Sequence, residues 1–258
     1  MQVGLIKSSF YFTYIFLITT GTICFIEALR NPNPQIRHIM NLETCISLVA
    51  GYFYGLFLNK LNQHEKEKEN TGENKSQYNN HQYDNEHINE DIKEDIKEDK
   101  NKKDDKLVPY EKINDMRYTD WVISTPIMIL VLCLVLGMEN KKLVKFSKLM
   151  LILLFNFLML LSGYLGEINK LSKNTALISG FIFFFAMYGT IWKTFMSKTK
   201  TIQSQIIYYL FLVLWGFYGI FYMTDKITKV VGYNVLDLIA KAFVGIFFWL
   251  YLTKTIVF

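Results

Sequence analysis

The sequence predicts an all-α membrane protein in which seven transmembrane helices form one bundle. Hydrophobic residues make up 51% of the 258 residues and aromatic residues 16%, and they are concentrated in long runs without charge. Such runs exclude an ordinary soluble domain, because a helix of about 20 apolar residues is long enough to cross a bilayer. The lipid bilayer is therefore the first expected partner.

Seven runs have this length. We name them A to G, and they lie at 9–29, 39–61, 118–138, 144–165, 176–195, 202–224 and 230–256. Run A resembles a signal peptide in its position, but its apolar stretch is too long, only Lys7 precedes it and no small-residue cleavage site follows. We therefore expect run A to be retained as the first helix.

The basic residues of the short loops predict the orientation. The A–B, C–D and E–F loops are rich in lysine and arginine, whereas the lysines of the D–E and F–G loops are mixed with Glu167 and Asp225. Because basic loops stay on the cytoplasmic side, the N-terminus is expected outside and the C-terminus in the cytoplasm.

A polar block at 62–107 divides the chain into three parts. Residues 1–61 hold helices A and B, and residues 108–258 hold helices C to G. The block carries nine lysines and fourteen acidic residues and has no apolar face to offset the entropy of ordering, so we expect a disordered extracellular insertion. Since the block is acidic and the rest is basic, the overall charge of +5 is an average and indicates no nucleic-acid partner.

Ionisable residues inside the runs are the strongest functional signal, because each costs about 2.5 to 3.5 kcal/mol at mid-membrane unless it is paired or functional. Run G contains Asp237 and Lys241, four residues apart and therefore on one helical face. Run C adds Arg117 and Asp120, with Ser124 one turn further along. A purely structural ion pair would explain Asp237 and Lys241 but not the additional charges of run C. The charged residues of the two runs together therefore predict a functional site.

A buried lysine has a chemical option that an exposed lysine lacks. Desolvation favours the neutral amine, which condenses with aldehydes to form a Schiff base, and the protonated Schiff base then needs a carboxylate. Asp120 and Asp237 are available from two helices. Aromatic residues of runs C and F are candidates for the walls around a long, flat, apolar ligand, although plain helix packing produces the same spacing: Trp121, Trp215, Tyr218 and Tyr222.

These motifs resemble those of the microbial (type 1) rhodopsins. Residues 117–126 read RYTDWVISTP, similar to the family's arginine, counterion aspartate, tryptophan and proline pattern. Residues 233–245 read YNVLDLIAKAFVG, similar to its retinal-lysine signature. LWGFYGIFY at 214–222 and MLLSGYLGE at 159–167 look like the proteorhodopsin branch. The resemblance covers all seven runs and excludes the polar block.

The resemblance implies a bundle with covalently bound all-trans retinal, attached as a Schiff base to Lys241. It further implies that Asp120 is the primary counterion and proton acceptor, that Asp237 is the secondary counterion and that Arg117 is the outward gate. The implied chromophore pocket is lined by residues of runs C, D and F: Trp121, Thr125, Met159, Gly163, Trp215, Tyr218 and Tyr222.

Several positions depart from the pattern of a proton pump. Val131 stands where such pumps carry an internal proton donor, usually a carboxylate, and Phe53 stands where many carry a histidine beside the counterion. Gly219 replaces the proline of run F, which leaves that helix more pliable. An aspartate counterion without a donor, together with LETCISLVAGYFYG at 42–55, looks like the rhodopsins of large DNA viruses of algae.

The favoured function is a light-gated cation channel, because Val131 removes the donor and Glu43, one turn inside run B beside two hydroxyl residues, offers a polar path. That path is expected to pass Arg117, Ser124 and Glu43. An outward light-driven proton pump is the first alternative, and a sensory rhodopsin acting through a partner protein is the second.

Other partners and activities follow from the same motifs. Cations or protons are the expected transported species, and a homo-oligomer of unknown order is expected. An enzyme is not expected, because the sequence contains no nucleotide loop, metal cluster or nucleophile triad. The three cysteines lie inside the apolar runs and form no CxxC pair, so neither a disulfide nor a zinc site is expected.

Overall fold

The computed structural model describes residues 2–76, 109–196 and 201–255, and within these ranges the chain is helical apart from short connections. The first six helices are α1 (Gln2–Arg30), α2 (Pro34–Ser76), α3 (Tyr110–Glu139), α4 (Phe146–Glu167), α5 (Lys173–Ile191) and α6 (Ile202–Tyr222). A π-helical segment, Leu238–Phe243, joins α7 (Lys226–Asp237) to α8 (Val244–Leu252), and the three form one span.

Seven spans are long and apolar enough to cross a membrane. Each packs against the next along the chain, and α1 also packs against α7 and α8, which closes the ring. The predicted fold class of a seven-helix membrane bundle is confirmed, and the chain is an integral, multi-pass membrane protein.

Polar side chains mark the starts of three helices. Ser172, Thr201 and Asp225 each accept a hydrogen bond from the backbone N–H three residues later, at the starts of α5, α6 and α7. These caps satisfy N–H groups that have no partner inside the helix. The hydrogen bonds from Thr228 also hold the pKa of the Asp225 carboxyl below its ordinary value.

The second helix is longer than the sequence analysis predicted. Instead of ending near residue 61, α2 continues to Ser76, so the first part of the block that was expected to be disordered is helical. Glutamate and lysine are good helix formers, and extending an existing helix avoids the cost of nucleation. An ion pair of 2.7 Å between Lys7 and Glu65 also ties this extension to α1. The prediction of disorder for 77–107 falls outside the described residues.

Hydroxyl groups of α1 support the irregular part of the last span. Thr20 donates from Oγ1 to the carbonyl of Ala242, inside the π-helical segment, at 3.2 Å. Thr13 donates in the same way to the carbonyl of Asn234 at 3.1 Å. π-helical turns are rare and often mark functional sites, and this one contains Lys241.

One half of the bundle has a continuous apolar core. We call this half, which contains the α1–α2 connection, the Glu43 half, and the opposite one the Arg117 half. A continuous apolar core fills the Glu43 half, and its fully buried members come from α3, α5, α6 and α8: Val131, Leu132, Val135, Tyr188, Phe211 and Phe248.

Candidate functional site

Lys241 lies inside the bundle between carboxylates of two spans. Its Nζ atom is 2.6 Å from Oδ2 of Asp120 on α3 and 3.7 Å from Oδ1 of Asp237 on α7, and all three side chains are at most 1% exposed. The shorter contact has the length of a charge-assisted hydrogen bond. The lysine therefore pairs more closely with the neighbouring helix than with the aspartate one turn away on its own span.

Asp237 is the more fully bonded of the two carboxylates. Its Oδ1 atom accepts hydrogen bonds from Tyr218 at 2.8 Å and Trp121 at 3.3 Å. Its Oδ2 atom accepts from Tyr54 at 2.9 Å and Arg117 at 3.2 Å. Because four donors from three other helices satisfy both oxygens, Asp237 is a fixed anchor of the site.

Asp120 has fewer partners. Its Oδ2 atom accepts from Lys241, but Oδ1 has no hydrogen-bond partner among the described residues, and neither does Oγ of Ser124 one turn away. Buried polar atoms without a partner are uncommon and cost free energy. Their presence beside Lys241 marks a candidate functional site, and Asp120 is the carboxylate of the two that keeps one oxygen atom without a protein partner.

A cavity of about 780 Å³, including its mouth, opens beside Lys241. All seven residues that the resemblance assigns to the pocket line it: Trp121, Thr125, Met159, Gly163, Trp215, Tyr218 and Tyr222. The sequence analysis did not single out the other large lining side chains: Tyr118, Met128, Leu160, Leu177, Phe181, Phe184 and Tyr233. Such an apolar, largely aromatic wall suits a flat apolar ligand.

Two glycines make room for aromatic rings at this cavity. A Cβ atom on Gly163 would lie 2.7 Å from Oη of Tyr118, and one on Gly219 would lie 2.5 Å from the ring of Phe181. Gly219 therefore has a packing role in addition to the pliability that the sequence suggests. A larger residue at either position would displace a ring that lines the cavity.

A buried polar pair links the cavity wall to α4. Thr125 donates from Oγ1 to the carbonyl of Trp121 at 2.7 Å and accepts from Nδ2 of Asn156 at 2.8 Å. Asn156 is 1% exposed. The sequence analysis missed it, because one asparagine in an apolar helix gives no spacing signal.

The sequence analysis also missed Tyr54 and Asn234, which complete the surroundings of Arg117. The Nη2 atom of Arg117 donates to Oδ1 of Asn234 at 2.7 Å, and Tyr54 donates to Asp237. In this part of run B the sequence analysis considered Phe53 and not its neighbour Tyr54, because the resemblance to proton pumps concerns position 53.

An ion pair lies near the helix ends of the Arg117 half, where α4 ends and α7 begins. Nζ of Lys229 is 2.8 Å from Oε1 of Glu167, and the side chains are 8% and 12% exposed. Glu167 also accepts from Nδ2 of Asn114 at 2.6 Å, and the ammonium group lies 5.4 Å from the ring centre of Tyr222. These contacts join α3, α4, α6 and α7 beside the cavity.

Glu43 is buried in the other half of the bundle, with 3% of its surface exposed. Its Oε2 atom is 3.1 Å from the point that a Cβ atom on Gly245 would occupy, and Gly245 lies one turn after Lys241. Val131 is fully buried in the same half. The carboxyl group of Glu43 therefore reaches the last span about one turn from the lysine.

The three residues of the predicted ion path do not form one contact group. Arg117 contacts Asn234 and Glu43 approaches Gly245, so they meet the last span eleven residues apart, or about 16 Å along a helix. Ser124 belongs to the Asp120 group between them. A path through all three residues would run along the last span between Asn234 and Gly245, the segment that contains Lys241.

Comparisons with known proteins agree with this geometry. The bacteriorhodopsin-like protein family matches residues 5–255 of the chain. The crystal structure of the viral rhodopsin OLPVRII is 42% identical and superimposes with a TM-score of 0.76, covering 98% of this chain and 100% of that chain. The blue light-absorbing proteorhodopsin from Med12 is 18% identical, with a TM-score of 0.63 and 97% of each chain covered, which shows a similar fold.

Opsin-1 of Neurospora crassa is 26% identical over 155 residues, which are 53% of this chain and 48% of that protein. The chain therefore matches about half the length of this curated relative. The chain belongs to the bacteriorhodopsin-like family and is a microbial rhodopsin. Proteins of this family bind retinal through a Schiff base with a lysine, and the cavity, the buried lysine and the unpartnered polar atoms beside it fit such a group.

Proposed function

We propose that the protein binds all-trans retinal on Lys241 and uses light to move protons outward across the membrane. Lys241 is the attachment point, and the aromatic residues of α3 and α6 hold the polyene. When bound, retinal supplies light absorption and an isomerisation that changes the position and proton affinity of Nζ. The residues of the chain then determine where the proton goes.

Asp120 is the acceptor in this proposal. Its Oδ2 atom is 2.6 Å from Nζ of Lys241, within the range for direct proton transfer, and its Oδ1 atom is unpartnered among the described residues. Asp237 does not compete, because four donors already occupy its oxygens. Its fixed charge stabilises the positive charge on Nζ before transfer.

Glu43 is the donor that returns a proton to Nζ, and its position is the observation that carries the choice of a pump. The resemblance places the donor of proton pumps at position 131, where this chain has valine. Glu43 instead comes from α2, is 3% exposed and reaches Gly245 one turn from Lys241. A carboxyl group can act as a proton donor from such a buried position, because it carries a single exchangeable proton.

The apolar core of the Glu43 half also favours a pump over a passive channel. A pump needs a barrier on the donor side, and fully buried side chains of four helices fill this half. The light-gated cation channel, which the sequence analysis favoured, is the second candidate here, because Ser47 beside Glu43 has a buried hydroxyl without a partner among the described residues. A hydrated path would satisfy that group.

Light-driven acidification of the medium by intact cells that express the protein tests this proposal. An outward pump acidifies an unbuffered suspension on illumination, and a protonophore abolishes the change. Asp120→Asn should abolish the signal. The matched control is Asp225→Asn, which changes an exposed carboxylate at the start of α7. Acidification that survives in the Asp120 variant would contradict the proposed acceptor.

A further inference from the structure

Asn234 links three other elements in the centre of the Arg117 half. It is fully buried, and its Nδ2 atom donates to Oγ of Ser9 on α1 at 2.8 Å. Its Oδ1 atom accepts from Nη2 of Arg117 on α3 at 2.7 Å and lies 3.2 Å from Oη of Tyr54 on α2. Every polar atom of this amide therefore has a protein partner.

The guanidinium group of Arg117 depends on these contacts for its direction. Four aromatic rings lie 5.2 to 5.9 Å from its central carbon, and such rings attract the charge without fixing its orientation. The two shorter polar contacts are on α7: Nη1 donates to Asp237 at 3.2 Å and Nη2 donates to Asn234 at 2.7 Å, while Oη of Tyr54 on α2 lies 3.4 Å from Nη1. The shorter of the two contacts is the one with Asn234.

Asn234 and Asp237 are three residues apart and lie on one face of α7. Together they offer the two parallel acceptors that a guanidinium fork fits. While Arg117 is held there, it does not bond to Asp120, which lies three residues away on its own helix. Oδ1 of Asp120 has no partner among the described residues, as expected if Arg117 bonds to α7 and not to Asp120.

We propose that Asn234 is a positioning residue that holds the Arg117 guanidinium on Asp237 and so reserves Asp120 for Lys241. This inference rests on the proposed retinal site but not on the direction or mechanism of transport. Loss of the amide leaves Nη2 without its acceptor in an apolar cage. We expect the freed guanidinium to turn toward the unpartnered Oδ1 atom of Asp120, three residues along the same helix, and a new bond there would stabilise the Asp120 carboxylate.

The charged and titratable groups around Asp120 define what a titration reports. Lys241 and Asp237 face it from the last span, and Arg117 from its own helix. Tyr54 and Tyr218 act on it through Asp237, from α2 and α6. Protonation of Asp120 in acid should shift the absorption band of the pigment to the red, so the midpoint of that shift measures the stability of the carboxylate.

The test is an acid titration of the pigment in Asn234→Leu, which has a similar volume and no acceptor. The midpoint should fall by about one pH unit, the size expected for one added hydrogen bond to a charged group. In an Arg117→Gln background the same substitution should have no effect on the midpoint. Thr13→Val, which removes only the bond to the carbonyl of Asn234, is the matched control and should leave the midpoint unchanged.

A second readout observes the arginine itself. The sequence contains three arginines, of which Arg30 and Arg37 lie at the α1–α2 connection. The ¹⁵N NMR signal of the buried guanidinium should move in Asn234→Leu and not in Thr13→Val. If Asn234→Leu forms no pigment, Ser9→Ala, which frees Nδ2 alone, should give a smaller shift of the midpoint in the same direction.

An unchanged midpoint and an unchanged arginine signal in pigment-forming Asn234→Leu would overturn the inference. An equal shift of the midpoint with and without Arg117 would also overturn it, because Asn234 would then act on Asp120 directly. Both readouts are taken in the dark. Failure of the proposed pump with the expected dark shifts would therefore leave this inference intact.

Discussion

The Nζ atom of Lys241 lies 2.6 Å from Oδ2 of Asp120, and Oδ1 of this carboxylate has no hydrogen-bond partner within 3.5 Å among the described residues. The second aspartate, Asp237, accepts four hydrogen bonds from other helices. Two carboxylates of the same chemistry therefore differ in the number of their donors. In the proposed mechanism this difference makes Asp120 the proton acceptor and Asp237 a fixed counterion.

Lys241→Ala should abolish covalent retinal binding, because a methyl group cannot form a Schiff base. Lys229→Met is the matched control, since Lys229 is also buried but is paired with Glu167 at the outer end of the bundle. Absorption spectra after mild extraction distinguish the two variants. A visible band that resists extraction in Lys241→Ala would show that another lysine carries the chromophore.

Asp120→Asn should shift the absorption band to the red and remove the acid-induced red shift of the parent protein, because both changes neutralise the same carboxylate. Asp237→Asn should keep an acid transition, since Asp120 remains titratable. Spectral titrations of both variants check this prediction. If Asp120→Asn retained the spectrum and titration of the parent, Asp237 would be the main counterion.

Glu43→Gln should slow the return of a proton to Nζ of Lys241 by about a hundredfold, the typical contribution of a positioned acid. The rate should also become proportional to the proton concentration of the medium. Adding Val131→Glu should restore fast, pH-independent return. Flash spectroscopy measures these rates.

The control for this series is Glu27→Gln. Glu27 lies in the same half of the bundle but accepts hydrogen bonds from Asn31 and Trp249 at 2.7 and 3.3 Å. The Glu27→Gln substitution should have no effect on the rate of proton return to Nζ of Lys241. An unchanged rate in Glu43→Gln, or an equal slowing in Glu27→Gln, would remove Glu43 from the role of donor.

Replacing residues 77–107 with a short Gly and Ser linker should leave pigment formation and transport unchanged, because loop closure changes by only about 0.6 kcal/mol per doubling of length. A replacement that begins at residue 62 should cost up to about 1 kcal/mol more, since it removes the partly exposed ion pair of Lys7 with Glu65. Thermal bleaching of the pigment measures the stability of both replacement variants. Loss of pigment in the shorter replacement would show that residues 77–107 support the bundle.

The sequence predicts much of this arrangement, and the limits of prediction have physical causes. The spans follow from their apolar length, and Lys241, Asp120 and Asp237 are prominent because charge inside a membrane is costly. The end of α2 could not be predicted from the membrane alone, since a helix also continues in water when its residues favour it. The change from apolar to polar residues therefore does not show where such a helix ends.

Tyr54, Asn156 and Asn234 could not be identified because their roles come from contacts between helices. Tyrosine and asparagine are uncharged, so their burial leaves no strong mark in the sequence. The function of Glu43 was ambiguous for a related reason. Its depth in α2 was evident, but its approach to Gly245 depends on how α2 packs against the last span.

The sign of the photocurrent at different membrane voltages distinguishes an outward pump from a passive channel. Under voltage clamp, an outward pump with Asp120 as acceptor and Glu43 as donor should give an outward current at all accessible voltages, unchanged when sodium and potassium are replaced. A current that reverses sign near the equilibrium potential of a cation would contradict the pump and establish the channel. The absence of any current would contradict transport and favour a sensory function.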